Sequence, residues 1–121
     1  MRRRLRWIYF LLLCLPFTVY GQFGFTTFNT TNSALPDNTV RSLFAAPDSA
    51  LWVGTDFGLA YLKAGQMTVY QTANSGLTDD AIRALWQDTA ETLYVGTLQG
   101  GLHSFDGSNW TVLNSQNSAL P

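Results

Sequence analysis

Short runs rich in apolar, β-branched and aromatic residues, separated by turn-forming residues, follow one another along the chain. Four of them make up one unit, at residues 40–45, 51–54, 59–62 and 67–71. Apolar positions recur with a period of two, as at Ile82, Ala84 and Trp86, which is typical of strands. No stretch of ten residues between the runs carries the apolar stripe of a helix. The pattern therefore predicts an all-β chain of short strands joined by tight turns.

Two sequence boxes recur along the chain at one common period. The string Asn-Ser-Ala-Leu-Pro-Asp at 32–37 returns as Asn-Ser-Gly-Leu-Thr-Asp at 74–79, 42 residues later, and as Asn-Ser-Ala-Leu-Pro at 117–121, another 43 residues on. Leu-Trp-Val-Gly-Thr at 51–55 returns as Leu-Tyr-Val-Gly-Thr at 93–97. A period of about 40 to 50 residues is typical of propeller blades, long helical repeats and solenoids. Four strands in each unit favour the four-stranded antiparallel meander of a β-propeller blade.

The repeat organises the chain after its first 21 residues. The predicted divisions are a leading outer strand at 22–31, repeat 1 at 32–73, repeat 2 at 74–116 and the start of a truncated repeat 3 at 117–121. Closed propellers use about 4 to 8 blades. Two full blades with partial flanking repeats form an incomplete propeller. We therefore expect the N-terminal fragment of a longer protein whose further blades complete the ring, with completion by self-association as the alternative.

Residues 1–21 have the layout of a secretory signal peptide. Four arginines, at positions 2, 3, 4 and 6, precede an apolar run at 7–17, and cleavage after Gly21 would leave Gln22 as the N-terminus. The apolar run is shorter than the roughly 20 residues of a spanning helix. The residue before Cys14 is not small, which disfavours a lipoprotein, and arginine clusters are too common in leaders to favour twin-arginine export. The sequence predicts an exported protein, periplasmic or extracellular.

Loss of this leader changes the charge of the chain and removes its cysteine. The remaining basic residues are Arg41, Lys63 and Arg83, against eight acidic residues, so the net charge becomes −5. This balance excludes the basic surface of a nucleic-acid-binding protein. Because Cys14 is the only cysteine, neither a disulfide nor a thiolate metal site is expected in the exported part. We expect no cofactor.

The boxes carry a family resemblance. The string Asn-Ser-Gly-Leu-Thr-Asp-Asp-Ala-Ile-Arg-Ala-Leu at 74–85, followed by Leu-Tyr-Val-Gly-Thr at 93–97, resembles the two-component regulator propeller repeat, and 32–43 with 51–55 resembles it more closely. The resemblance implies a bacterial β-propeller, found in the periplasmic sensor region of hybrid sensor histidine kinases and also in exported proteins without a kinase. The family's tight Asp-x-x-Gly hairpin is missing before both Leu-Trp/Tyr boxes, so we expect looser hairpins there.

Polar residues of two kinds of loop should meet on one face of the propeller. These are the loops that enter the innermost strands and those that join the second and third strands. As a functional hypothesis, Asp56, Asp79, Asp80 and Gln99 accept hydrogen bonds from a polar ligand such as a glycan at the channel mouth. The alternative, which we favour for each residue, is that these side chains satisfy turn backbones. Aromatic residues on the strands, namely Trp52, Tyr94, Trp86 and Trp110, are expected in the core between blades rather than on a sugar platform.

The sequence shows no catalytic constellation. His103 is the only histidine and is expected on a strand, facing solvent. Asp79 and Asp80 are neighbours in a turn and do not form the separated carboxylate pair of a glycosidase. The first functional hypothesis is therefore a ligand-sensing module whose parent couples to a histidine kinase, with a homodimer of the parent as a further expectation. The second is an exported scaffold or adhesion protein with a C-terminal sorting domain, and a propeller enzyme is the third.

Overall fold

The computed structural model describes residues 24–117, and every regular element among them is a strand. The strands are β1 (Val40–Ala45), β2 (Leu51–Thr55), β3 (Gly58–Lys63), β4 (Gln66–Tyr70), β5 (Ile82–Gln87), β6 (Leu93–Thr97), β7 (Leu102–Phe105) and β8 (Trp110–Leu113). They form two antiparallel four-stranded sheets, ordered β1-β2-β3-β4 and β5-β6-β7-β8. The predicted all-β class, with two meander blades that do not close into a ring, is confirmed. Residues 24–117 include no helix long and apolar enough to cross a membrane.

The two sheets repeat each other in register and in their irregularities. Phe44 pairs with Trp52 in the first sheet, and Trp86 pairs with Tyr94 in the second. The register shifts once in β1, between Val40 and Ser42, and at the equivalent point of β5. A bulge of this kind re-aims the side chain of the extra residue. It therefore sets the direction of one arginine in each sheet, considered below.

The first hairpin of each sheet is tight, so the prediction of looser hairpins is wrong. The backbone N–H of Ala46 donates to the carbonyl oxygen of Ala50 at 2.8 Å. The equivalent hydrogen bond closes the first hairpin of the second sheet. Ser49 and Glu91 take the last loop position, with φ values of 69° and 66°. A three-residue loop that ends in this left-handed conformation matches the twist of the strands. Serine and glutamate adopt the conformation that glycine would provide more readily.

The larger hydrophobic core lies between the two sheets, and a smaller one joins Leu35, Val53 and Ala60 within repeat 1. The larger core joins Trp52 and Leu59 of the first sheet to residues of the second, with Phe44 and Tyr70 packed against it, and β5 packs on β1 and β2. The buried members from the second repeat are Leu77, Ile82, Leu93, Val95 and Phe105. Full burial of an aliphatic side chain contributes about 1.5–3 kcal/mol, so this shared core is what attaches one blade to the next.

Trp86 corrects the prediction that the strand tryptophans are buried between blades. It is 58% exposed and stacks on Tyr94 with ring centroids 5.6 Å apart. Phe44 has the same position in repeat 1 and is packed against the shared core. The difference arises because the second sheet covers Phe44, whereas no described residue covers the corresponding face beyond Trp86.

The predicted leading outer strand at 22–31 is not a strand in the described residues 24–31. Residues 24–29 have no regular structure, and Phe25 is 99% exposed. A strand needs hydrogen-bonding partners along its edge, and none of the described residues supplies them. The predicted signal peptide at 1–21 and the last four residues of the predicted third repeat lie outside the described residues.

Candidate functional site

The loops singled out by the sequence do lie at one end of the blades. In each antiparallel meander the β2–β3 turn and the loop that leads into the first strand are at the same end. Loop residues 71–81 therefore stand beside the turn at Asp56 and beside the loop that follows Thr97. Leu98 N donates to Ala81 O at 2.9 Å and ties the two loops of the second blade together. We call this end the loop face.

The Asn-Ser-x-Leu box shapes the loop face through its own backbone. Asn74 Oδ1 accepts from Gln71 N at 2.7 Å, and Asn74 Nδ2 donates to Val69 O at 2.9 Å. Ser75 Oγ donates to Gln71 O at 2.6 Å, and Leu77 is buried beneath the loop. Asn32 and Asn117 repeat the asparagine bonds. The most distinctive motif of the sequence therefore holds loop geometry.

Asp79 and Asp80 also bind backbone. Asp79 accepts from Ala81 N at 3.0 Å and from Gln99 N at 2.7 Å, and Asp80 accepts from Thr72 N at 2.7 Å. Burial would raise the pKa of Asp79, but these backbone hydrogen bonds outweigh it and the pKa lies below its usual value. Asp79 thus joins the two loops of its blade, whereas the side chain of Gln99 is exposed.

Asp56 binds arginines from both blades. Its carboxylate accepts from Arg41 Nε and Nη2, each at 3.1 Å, and from Arg83 Nη1 at 2.8 Å. The pKa of Asp56 is lowered, chiefly by the side-chain hydrogen bond from Arg41 and against the effect of burial. The ionised carboxylate therefore links β1 to β5 across the blade boundary.

Arg41 and Arg83 are equivalent residues, each at the bulge of its strand. The repeat 2 counterpart of Asp56 is Leu98, so Arg83 has no carboxylate in its own blade at that position. A guanidinium carries five N–H donors, and Asp56 engages two from Arg41 and one from Arg83. The cluster of these three side chains is net positive and keeps donors at the loop face.

The structure therefore brings some of the predicted residues together and separates others. Against the effect of burial, backbone hydrogen bonds chiefly lower the pKa of Asp79, and the charge of Arg83 adds to them, so Arg83 binds Asp56 directly and interacts with Asp79 only electrostatically. Asp80 instead accepts from Thr72 N, at the start of its own loop. Sequence reasoning missed the arginines, although their identical position in both repeats, one residue into a strand, was a usable signal.

His103 corrects a second prediction, because it is fully buried. Its Nε2 accepts from Thr78 N at 3.1 Å and lies 3.0 Å from Thr78 Oγ1. Burial lowers the pKa of the imidazole. The side chain faces the underside of the loop rather than solvent because β7 is covered at this point. Among residues 24–117, no three histidine, cysteine or acidic side chains are placed to hold a metal ion.

The two repeated four-stranded meanders are β-propeller blades, and this defines the class of the protein. Residues 34–57 match the family model of the two component regulator propeller, so the chain carries a repeat of that family. The matched segment runs from the Asn-Ser-x-Leu box to the β2–β3 turn and includes both Arg41 and Asp56. No curated protein matches the chain.

Proposed function

We propose that this chain is part of an exported propeller that senses a polar ligand at the loop face and serves as the periplasmic input region of a two-component sensor kinase. One observation carries the proposal: Asp56 of one blade binds repeat-equivalent arginines from two blades. A ligand that reaches this cluster touches both sides of a blade boundary.

Within the loop face, the arginine cluster favours a ligand with an anionic group. The carboxylates of Asp79 and Asp80 already accept backbone hydrogen bonds, whereas Arg41 and Arg83 keep N–H donors beyond those that bind Asp56. Guanidinium groups bind carboxylate or sulfate in bidentate geometry. Among glycans, those that carry such groups fit the cluster better than neutral ones.

Such a ligand would act on the relation between blades. When an anion accepts hydrogen bonds from guanidinium N–H groups that otherwise donate to Asp56, it replaces bonds that link β1 to β5. A ligand shifts a conformational equilibrium only by its difference in affinity for the two states. The proposed signal is therefore a change in blade or domain arrangement, passed toward the membrane.

Binding measurements test the ligand class. By calorimetry, the purified protein should bind oligoglucuronate more tightly than a neutral glucose oligosaccharide of equal length. Arg41→Gln with Arg83→Gln should remove this preference, and Asp56→Asn should preserve or strengthen it because the arginines lose their internal partner. Lys63→Gln, at the opposite end of the blade, is the matched control. Equal binding of both sugars, or full binding by the double arginine variant, would contradict the proposal.

Two further observations test the compartment and the signalling role. N-terminal sequencing of the mature protein should begin at Gln22, and an intact leader would contradict export by cleavage. The gene read past the codon for Pro121 should encode more repeats, a membrane segment and a kinase core. Repeats followed by a sorting domain would instead support an exported scaffold or adhesion protein.

A further inference from the structure

A cavity opens between the two blades at the end opposite the loop face. Its volume is about 240 Å³, and it lies beside the hairpins at 46–50, 88–92 and 106–109. Both blades contribute residues to its lining, and it is partly open to solvent. For scale, an engineered cavity of about 150 Å³ holds benzene. The space is sufficient for a small organic molecule.

Aromatic rings form the wall of this cavity. Trp52, Tyr61 and Tyr70 come from the first blade, and Phe105 comes from the second. The Trp52 ring centroid lies 4.3 Å from that of Tyr61 and 6.0 Å from that of Tyr70, and the Tyr70 and Phe105 centroids are 5.5 Å apart. The rings therefore form one continuous surface, and the negative face of an aromatic ring attracts cations.

Three carboxylates lie next to the aromatic wall. Asp48, Glu91 and Asp106 line the cavity. Lys63 pairs with Asp48 at 2.8 Å and also interacts electrostatically with Glu91, so one cation stands against three carboxylates. In the described part of the chain no ion pair involves Glu91 or Asp106. The charge near the cavity is therefore negative on balance, so the carboxylates and the aromatic faces favour the same kind of ligand.

We propose that this inter-blade cavity binds a small organic cation, an ammonium group carried on an apolar body. The apolar part would lie against the aromatic wall, with the charge toward Glu91, since Asp48 and Asp106 already accept backbone hydrogen bonds. The indole nitrogen of Trp52 is buried and has no hydrogen-bond partner in the described residues. A ligand oxygen that reached this N–H would satisfy it, and burial of an unsatisfied donor is otherwise unfavourable.

Calorimetry with a matched pair of probes tests the charge requirement. Choline is the cationic probe, and 3,3-dimethylbutan-1-ol has the same shape and hydroxyl without the charge. The purified protein should bind choline, with the Trp52 indole N–H resonance shifting on titration, and should bind the alcohol at least about five-fold more weakly. Equal affinity for the two probes, or no binding of choline, would overturn the proposal.

Variants locate the binding within the cavity. Tyr61→Leu and Glu91→Gln should each weaken choline about three- to five-fold, whereas Tyr61→Phe, which keeps the ring, should bind like the unsubstituted protein. Because Glu91 is on an exposed hairpin, its variant is expected to fold, and circular dichroism checks this. Arg41→Gln, which keeps the Arg83–Asp56 bond between the blades, should leave choline binding unchanged, so failure here is distinguishable from failure of the loop-face proposal. Choline binding unaffected by both Tyr61→Leu and Glu91→Gln would place the ligand elsewhere and overturn the assignment.

Discussion

The Nε2 atom of His103 accepts the backbone N–H of Thr78 at a distance of 3.1 Å. Repeat 1 has Ala60 at the position of His103, opposite Val53 as His103 is opposite Val95. It has Pro36 at the position of Thr78, and proline has no N–H to satisfy. The two differences between the repeats therefore match each other. Repeat 2 has a donor in the loop and an acceptor on the strand beneath it, whereas repeat 1 has neither.

This relationship predicts a coupling between the two residues. His103→Leu leaves the Thr78 N–H without its acceptor and should lower the free energy of unfolding by about 1–3 kcal/mol. In a Thr78→Pro background, which removes the donor as Pro36 does, the same substitution should cost measurably less. Urea unfolding of the four proteins of this cycle gives the coupling. Strictly additive costs would show that the hydrogen bond does not matter for stability.

Stability should also depend on pH through His103. Burial lowers the pKa of His103 in the folded state, so below the unfolded value of about 6.5 the unfolded chain binds a proton that the folded chain does not. Stability is therefore full above about pH 6.5 and falls as the pH decreases toward the folded pKa. Thermal unfolding between about pH 7 and 5 should show this fall, and His103→Leu should flatten it. An unchanged slope in the variant would assign the effect to other groups.

Gly54 and Gly96 occupy one repeat position but have different surroundings. A Cβ at Gly54 would clash with Ser42 Oγ and lie 2.5 Å from Ile82 Cγ2, whereas at Gly96 the nearest atom is Ala84 Cβ at 3.5 Å. Gly54→Ala should therefore destabilise the protein by about 1–3 kcal/mol, as overpacking does, and Gly96→Ala should have little effect. Chemical denaturation of both variants checks this. If both substitutions changed the free energy of unfolding equally, the sheets would be able to move apart at Gly54 and relieve the predicted clash.

Ser49 holds a left-handed conformation that suits glycine. Its φ is 69° in a hairpin closed by the bond from Ala46 N to Ala50 O. Ser49→Gly should raise the free energy of unfolding by up to about 1 kcal/mol, because an L side chain is strained in this region. Ser49→Ala, which keeps the Cβ, is the control and should bring no gain. A higher melting temperature for the alanine variant would contradict the argument.

Substitutions of Phe44 and Trp86 test which apolar faces of the blades are packed against another surface. Both take the same position in their blades, but Phe44 packs on the shared core and Trp86 is mostly exposed. Phe44→Ala should cost about 2–4 kcal/mol, somewhat less than the roughly 3–5 kcal/mol of fully buried aromatic residues, because Phe44 is only partly buried. Trp86→Ala should cost less than about 1 kcal/mol. Equilibrium unfolding compares them, and a larger cost at Trp86 would show that another surface covers it in solution.

The periodicity of the sequence was sufficient to predict the fold class and the order of the strands. A period of two within each run and a period of 42 to 43 between boxes can be read from the sequence alone. They predicted the eight strands in two meanders, together with a leading strand at 22–31 that the described residues 24–31 do not form. The Asn-Ser-x-Leu box was equally readable, because asparagine and serine bond backbone groups within five residues of themselves. For Asp79 and Asp80, the turn role that the sequence favoured is the one that the geometry has.

Tertiary structure decided everything that depends on one blade meeting another. His103 is buried beneath the loop, where it accepts from Thr78, 25 residues away, and Asp56 is shared because Arg83 arrives from the next blade. Trp86 is exposed whereas Phe44 is covered, although their positions in the repeat are the same. A repeat unit specifies its own hydrogen bonds, but burial and charge pairing depend on which neighbour is present, and that information is not local to the unit.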